Sequence, residues 1–433
     1  MQRPKIFQTV LIAVFVVLAF LAFLGFSGKL PLPTKGDKIN YGAVTFWGTI
    51  PASIIQPTIS EKLGGDKSIT ITYVQKNKAT FEKDFIEALA IGAGPDIFLL
   101  DQDEMLRSLN KIAPVSYESV PARDFKNLFI EGGEIFLRPE GITAIPFTVD
   151  PIVMYWNRDI LTNASVVLPP TKWSEFYTLA PKITIRDRAG NISQSLVALG
   201  EYDNISHAKE VLSMLMLQAG KPIVAMGTAG LMVDISPEGN ETNPAARAVA
   251  FYNEFSNTGK DSYSWNRSLP TSRNMFEAGD LAFYFGYASE YSEIKKKNPH
   301  LNFDVAVVPQ VETIIKKTTF GHIQGIAIVK SSKNLVGALR AALLLSNSEV
   351  VGSVTQKSGL PPVRRDLLVK RPTDPVLSVF YDSALIARAW PDPSPNDTDN
   401  LFRDMINDIN SGRLKIGQAL GILQSGVGKL LSK

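Results

Sequence analysis

Residues 80–100 read TFEKDFIEALAIGAGPDIFLL, and this stretch decides the fold. Phe81, Phe85, Ile86 and Leu89 recur at helical spacing behind Thr80 as N-cap, and Gly92 or Gly94 stops the helix. Pro95-Asp96-Ile97-Phe98-Leu99-Leu100 then runs almost unbroken and apolar, the pattern of a short strand covered on both faces. Upstream, residues 43–48 (AVTFWG) predict a first strand ending in a turn, and 69–73 alternate as a second strand. Strand, helix, strand in this rhythm predicts a parallel α/β layer.

The rhythm continues downstream. Trp173, Phe176, Tyr177 and Ala180 share one face of a predicted helix, and Met275 and Phe276 turn inward on another that stops at Gly279. Strands are predicted over 281–285, 302–308 and 324–329, a helix over 336–345, and two amphipathic helices from Asn400 onward. The fold class is therefore α/β. With 433 residues the chain is long enough for two packed domains.

Composition narrows the function. A net charge of +3, with no basic run interleaved with aromatics, gives nucleic acid no footprint. The absence of cysteine removes thiolate catalysis, cysteine zinc sites and disulfides together. Three histidines, His207, His300 and His322, build no His-Glu-x-x-His helix, and no nucleophile elbow or phosphate-cradling glycine loop is present. Ser206-His-Ala-Lys209 matches Ser-x-x-Lys but lacks its Lys-Thr-Gly companion. Neither a cofactor nor a metal is expected, and no catalytic residue is assigned.

Residues 6–26 form an apolar run interrupted only by Gln8 and Thr9, enough helix to cross a hydrocarbon core of roughly 30 Å. Arg3 and Lys5 precede it, so the positive-inside bias puts the bulk of the chain on the extracytoplasmic side of a lipid bilayer. A cleaved signal peptide is the rival reading; its apolar stretch would be long, and Gly25-Phe26-Ser27 is its one small-x-small site. Residues 27–38 (SGKLPLPTKGDK) read as a linker.

Four blocks, in order, carry a resemblance. They are Gly94-Pro95-Asp96-Ile97-Phe98; Val153-Met154-Tyr155-Trp156-Asn157-Arg158-Asp159 with the following Pro169-Pro170-Thr171-Lys172-Trp173-Ser174-Glu175-Phe176; Phe276-Glu277-Ala278-Gly279-Asp280-Leu281-Ala282; and Gly359-Leu360-Pro361-Pro362-Val363-Arg364-Arg365. The exported part resembles the bacterial extracellular solute-binding proteins of the maltose- and oligosaccharide-binding kind (family 1), the capture components of ABC importers. The lipid-bearing cysteine found in many relatives is missing, which favours the retained helix. The resemblance implies a type II periplasmic-binding-protein fold, with two α/β lobes and a hinge crossed more than once. Lobe 1 is expected over 39–147 plus 308–355, and lobe 2 over 148–307 plus 356–433. It further implies a cleft that binds a small polar solute for delivery to an ABC permease.

A sugar offers apolar ring faces and polar edges, so its cleft needs aromatic platforms beside hydrogen-bonding groups. The candidates are Trp47 at the end of the first strand, and Asp101 and Gln102 past the Pro-Asp strand. Phe147 and Asp150 stand at the first crossing, Trp265 in a polar loop, and Tyr287 after a strand. Gln324, at the start of another strand, and Trp390 complete the set. The aromatic supply favours an oligosaccharide as ligand. Two alternatives stay open: an anchored glycan-degrading enzyme using a carboxylate pair such as Asp101 and Asp103, and an anchored sensor.

Overall fold

The computed structural model describes residues 40–227, 230–235, 243–312 and 316–432. The expected membrane segment 6–26 and linker 27–38 lie outside these residues. Among the described residues no single helix is long and apolar enough to cross a membrane.

Eight strands position the site: β1 Gly42–Gly48, β2 Ile69–Gln75, β3 Ile97–Asp101, β4 Ile145–Asn157, β5 Ile192–Val197, β6 Leu281–Tyr287, β7 Phe303–Ala306 and β8 Thr319–Ile328. Their spatial order is β2-β1-β3-β8-β4-β6-β5, with β7 also paired to β4. β1 runs parallel to β2 and β3, as the opening stretch predicts. β8 lies antiparallel between β3 and β4, and β6 pairs antiparallel with β4 and parallel with β5.

The helix of the opening stretch, α1 (Phe81–Ala90), buries Phe85 and Ala88, and Phe85 packs in a tilted arrangement against Phe98 of β3 with ring centroids 4.5 Å apart. Asp96, just before β3, accepts the backbone N–H of Thr45 and the hydroxyl of Ser332, which ties β1 to β3. Asn157, at the end of β4, caps the next helix through the N–H groups of Asp159 and Ile160. α2 (Glu175–Ile183) buries Phe176, Leu179 and Ala180, and Trp173 just ahead of it is buried as well; Tyr177 turns outward, because it flanks the apolar stripe instead of lying on it.

Two separate hydrophobic cores define two lobes. The first gathers Val44, Phe46, Ile97 to Leu100, Phe147, Val149, Ile323, Ile326, Val350, Val363 and Leu368. The second gathers Ile152 to Tyr155, Trp173, Leu196, Trp265, Phe276, Phe283, Val308, Phe320, Trp390 and Phe402. The returns of the chain therefore fall later than the expected boundaries: Val308 and Phe320 belong to the second core, and Val363 and Leu368 to the first. Between Leu368 and Trp390 the chain alternates, with Phe380 in the second core and Ala384 and Ala387 in the first.

β4 leaves the first core after Val149 and enters the second at Ile152, while β8 makes the reverse passage between Phe320 and Ile323. At this point the strands pair Gly321 with Pro151, His322 with Asp150 and Ile323 with Val149. The lobes are thus joined by a two-strand ribbon. The sequence predicts this strand only from Gln324, whereas β8 already begins at Thr319 and runs through Gly321. Gly321 and Gly325 both lie within β8 and permit close approach. A Cβ at Gly321 would stand 2.7 Å from the Ala387 methyl, and one at Gly325 2.7 Å from that of Ala144.

Candidate functional site

Strand alternation builds the site at the ribbon. Val149 on β4 and Ile323 on β8 point into the first core, so Thr148, Asp150, His322 and Gln324 share the other face and remain partly exposed. Gln324 lies opposite Asp101 at the end of β3. The Thr148 hydroxyl donates to Gln324 Oε1 at 3.0 Å, and Gln324 Nε2 donates in turn to Asp101 Oδ1. His322 Nε2 stands 3.8 Å from the same carboxylate oxygen.

After Asp101 the chain makes a single tight turn, Gln102–Glu104. Gln102 is buried, and its Oε1 accepts the Ile323 N–H at 2.7 Å, which fastens this turn to the ribbon. Asp103 Oδ1 is buried and, among the described residues, has no hydrogen-bond partner. Burial pushes the Asp103 carboxyl up; His322 offsets part of this and the Asp101 charge adds to it. Asp103 also feels Lys209 and Asp392, which belong to the opposite lobe, so the two lobes face each other here.

The second lobe presents Tyr287 at the end of β6. Glu290, one turn later, is a hub. Its Oε1 accepts the Tyr287 N–H at 2.8 Å and His207 Nε2 at 2.7 Å, and its Oε2 accepts the Tyr284 hydroxyl at 2.7 Å. The His207 ring meets Tyr287 edge-on at 4.7 Å, and the Tyr155 hydroxyl donates to the Tyr287 carbonyl at 2.6 Å. Burial disfavours charge on both His207 and Glu290, yet their mutual contact prevails: His207 is held above its ordinary value and Glu290 below its own. Asp150 Oδ1 accepts the Ser289 N–H at 3.0 Å; burial raises this carboxyl, and the Ser289 contact offsets part of the rise. His207 immediately precedes α3 (Ala208–Gln218), and Lys209 in its first turn reaches Asp392 at 2.9 Å.

Of the residues chosen from sequence, the junction gathers Asp101, Asp150, Gln324 and Tyr287. Gln102 serves the backbone. The aromatic platforms are placed differently. Phe147 (1% exposed), Trp265 (0%) and Trp390 (3%) are core side chains. The polar loop around Trp265 is explained by Asn204, which accepts the indole N–H at 3.0 Å, and Trp390 donates to Ser213 at 3.1 Å. Trp47 is 8% exposed, and the Lys76 ammonium lies 3.7 Å from its ring centroid. Arg364 and Arg365 of the fourth block stay within the first lobe, on Ser346 and Asp366 and on the Phe129 carbonyl.

Thr148, Asp103, His207, Glu290 and His322 were not singled out as ligand contacts. The alternation His322-x-Gln324 against Thr148-x-Asp150 is the signal that could have found the ribbon set. A cavity of about 520 Å³ lies elsewhere, lined by Trp173, Gln218, Phe251, Lys316 and Arg388 among others. Both of the last two cations bind Glu131 of the first lobe, so that cavity carries no cluster of free polar groups.

The two lobes, their ribbon and the polar face between them define a solute-binding protein. The chain belongs to the bacterial extracellular solute-binding proteins, whose family model matches residues 59–374. It is 25% identical over 260 residues to a chain of Brucella abortus (strain 2308) named as a binding protein, covering 56% of each. The chain thus spans about half the length of the curated relatives it matches. Among solved structures it resembles the cyclic alpha-maltosyl-1,6-maltose binding protein of Arthrobacter globiformis, with a TM-score of 0.74 at 15% identity over 90% of this chain and 98% of the other. It also resembles the sugar-binding protein MalE of Xanthomonas citri, with a TM-score of 0.69 at 18% identity over 90% and 97%. At these identities the likeness is one of fold.

Proposed function

We propose that the chain captures a carbohydrate between its lobes and hands it to an ABC permease, tethered to the membrane through residues 6–26. One observation carries this reading. Asp101, Asp150, Gln324 and Tyr287, on strands from both lobes, converge on the ribbon that joins them. Carboxylates accept sugar hydroxyls, an amide both donates and accepts, and a tyrosine ring covers an apolar sugar face. Both structural neighbours described above are named for the sugars they bind. A solute that touches both lobes favours their closed arrangement, with β4 and β8 as the hinge. Arg3, Lys5, the apolar run after them and the missing cysteine support a retained membrane helix.

The test is a thermal-stability screen of the full chain in detergent against mono- and oligosaccharides, amino acids and peptides. A solute at a hundred times its Kd stabilises the fold by roughly 2.7 kcal/mol, which is visible as a melting shift. The expected result is a shift with one sugar class, recovered chemically unchanged. A shift confined to amino acids or peptides would redirect the substrate class, and a sugar consumed in the tube would mean catalysis.

A further inference from the structure

We propose that Asp101, Asp103 and His322 form a binding site for one divalent metal ion at the lobe junction, with its remaining coordination positions open to the bound solute. One donor atom from each of the three lies within 4.8 Å of the others, and the His322 Nε2 to Asp101 Oδ1 distance is 3.8 Å. Ligands held about 2.0–2.2 Å from one ion stand roughly 3.4–4.3 Å from each other, so small side-chain adjustments close the set.

The second observation is Asp103 Oδ1 itself, an acceptor shielded from solvent with no partner. Unpaired buried carboxylate oxygens are costly and uncommon, and a cation removes the cost. Among the described residues no lysine or arginine forms an ion pair with Asp101 or Asp103; His322 is the one basic group beside Asp101. An outer layer is also in place. Gln324 Nε2 fixes Asp101, and Thr148 fixes Gln324, in the manner of the partners that orient metal ligands.

The donor set selects the ion. Two carboxylates with one imidazole suit zinc or manganese better than calcium, which takes six to eight oxygens. Three protein ligands leave room for others, as in sites that bind substrate on the metal. Vicinal hydroxyls or a carboxylate of the captured sugar are the groups to fill it, a step that rests on the carbohydrate reading. Asp101 and Asp103 come from the first lobe and His322 from the ribbon, so the ion would stiffen the joint on which the lobes turn.

The experiment strips the full chain with a chelator and titrates it with Zn²⁺ or Mn²⁺, with Ca²⁺ and Mg²⁺ as controls. Calorimetry gives the affinity, and elemental analysis the ions per chain. One Zn²⁺ or Mn²⁺ per chain is expected, weakened at least about tenfold by Asp103→Asn and by His322→Gln. Melting in chelator confirms that each variant is folded. Less than one ion per chain, or unchanged affinity in folded variants, overturns the site. The same samples are then mixed with the sugar panel. A shift in metal-free protein that binds no ion sinks the metal site and leaves carbohydrate capture intact. An ion bound at these residues with no sugar response upholds the metal site and sinks the carbohydrate.

Discussion

The two faces that meet at the junction hold their charges in opposite ways. On the second lobe Glu290 and Lys209 are both fully engaged: Glu290 accepts from Tyr287, His207 and Tyr284, and Lys209 is bound by Asp392, Thr398 and the Pro395 carbonyl. On the first lobe, among the described residues, Asp101 has only an amide and a distant imidazole, and Asp103 Oδ1 has no hydrogen-bond partner. The second face is finished scaffolding that presents the Tyr287 ring. The first keeps acceptor capacity that a solute or cation can use. Binding at such a junction then combines a preformed platform with a face completed only on contact.

The largest expected effect separates platform from core among the aromatics. Trp265→Ala should destabilise the fold by about 3–5 kcal/mol, as for other large rings removed from a core. Tyr287→Ala, at the partly exposed junction, should leave most of the stability and abolish most of the solute affinity. Urea unfolding and calorimetric titration, run side by side, read both. A Trp265→Ala protein of normal stability with lost binding would reverse the assignment.

Next comes the Glu290 hub. Glu290→Gln should cost about 2 kcal/mol, since it weakens charge-assisted hydrogen bonds to a buried carboxylate. The pair also sets a pH window. His207 is raised from 6.5, so its contribution is complete below that value and is lost as pH rises through the higher folded value. Glu290 is lowered from 4.5, so its contribution is present above that value and is lost as pH falls through the lower folded one. Melting temperature should therefore be flat between about pH 4.5 and 6.5 and fall on either side, through His207 as the pH rises and through Glu290 as it falls. His207→Gln should remove the alkaline slope. An unchanged slope in that variant would assign it to another group.

This difference between faces also explains what the sequence could tell. Periodicity finds β1, α1 and β3 because their burial is regular and local, and Gly279 marks a helix end because its φ of 95° suits glycine. Asp101 and Tyr287 were chosen near strand ends, Asp150 at the first crossing and Gln324 at a strand start, and the structure brings these four together at the junction. The errors come from longer range. A tryptophan among serines and asparagines looks exposed until the partner of its indole N–H, Asn204, is known to fold back over 61 residues. His207 and Glu290 are 83 residues apart, and no local pattern joins them. The membrane segment stands on hydropathy and flanking charge alone, and fusing residues 1–38 to a reporter would test it by topology.

The smallest effect is also the sharpest, because its sign differs between the faces. Asp103→Asn keeps the shape of the side chain and removes a buried charge that Asp101 repels. The new amide can donate toward Asp101 and needs no cation. In chelator-treated, solute-free protein the substitution should therefore raise stability, by about 1 kcal/mol, whereas Glu290→Gln lowers it. The same Asp103→Asn protein should bind solute less tightly, because the vacant acceptor it fills is the one the cleft offers. Melting curves of both variants in one buffer decide the matter. If Asp103→Asn destabilises the free protein as much as Glu290→Gln does, the first face is as fully satisfied as the second, and the asymmetry does not exist.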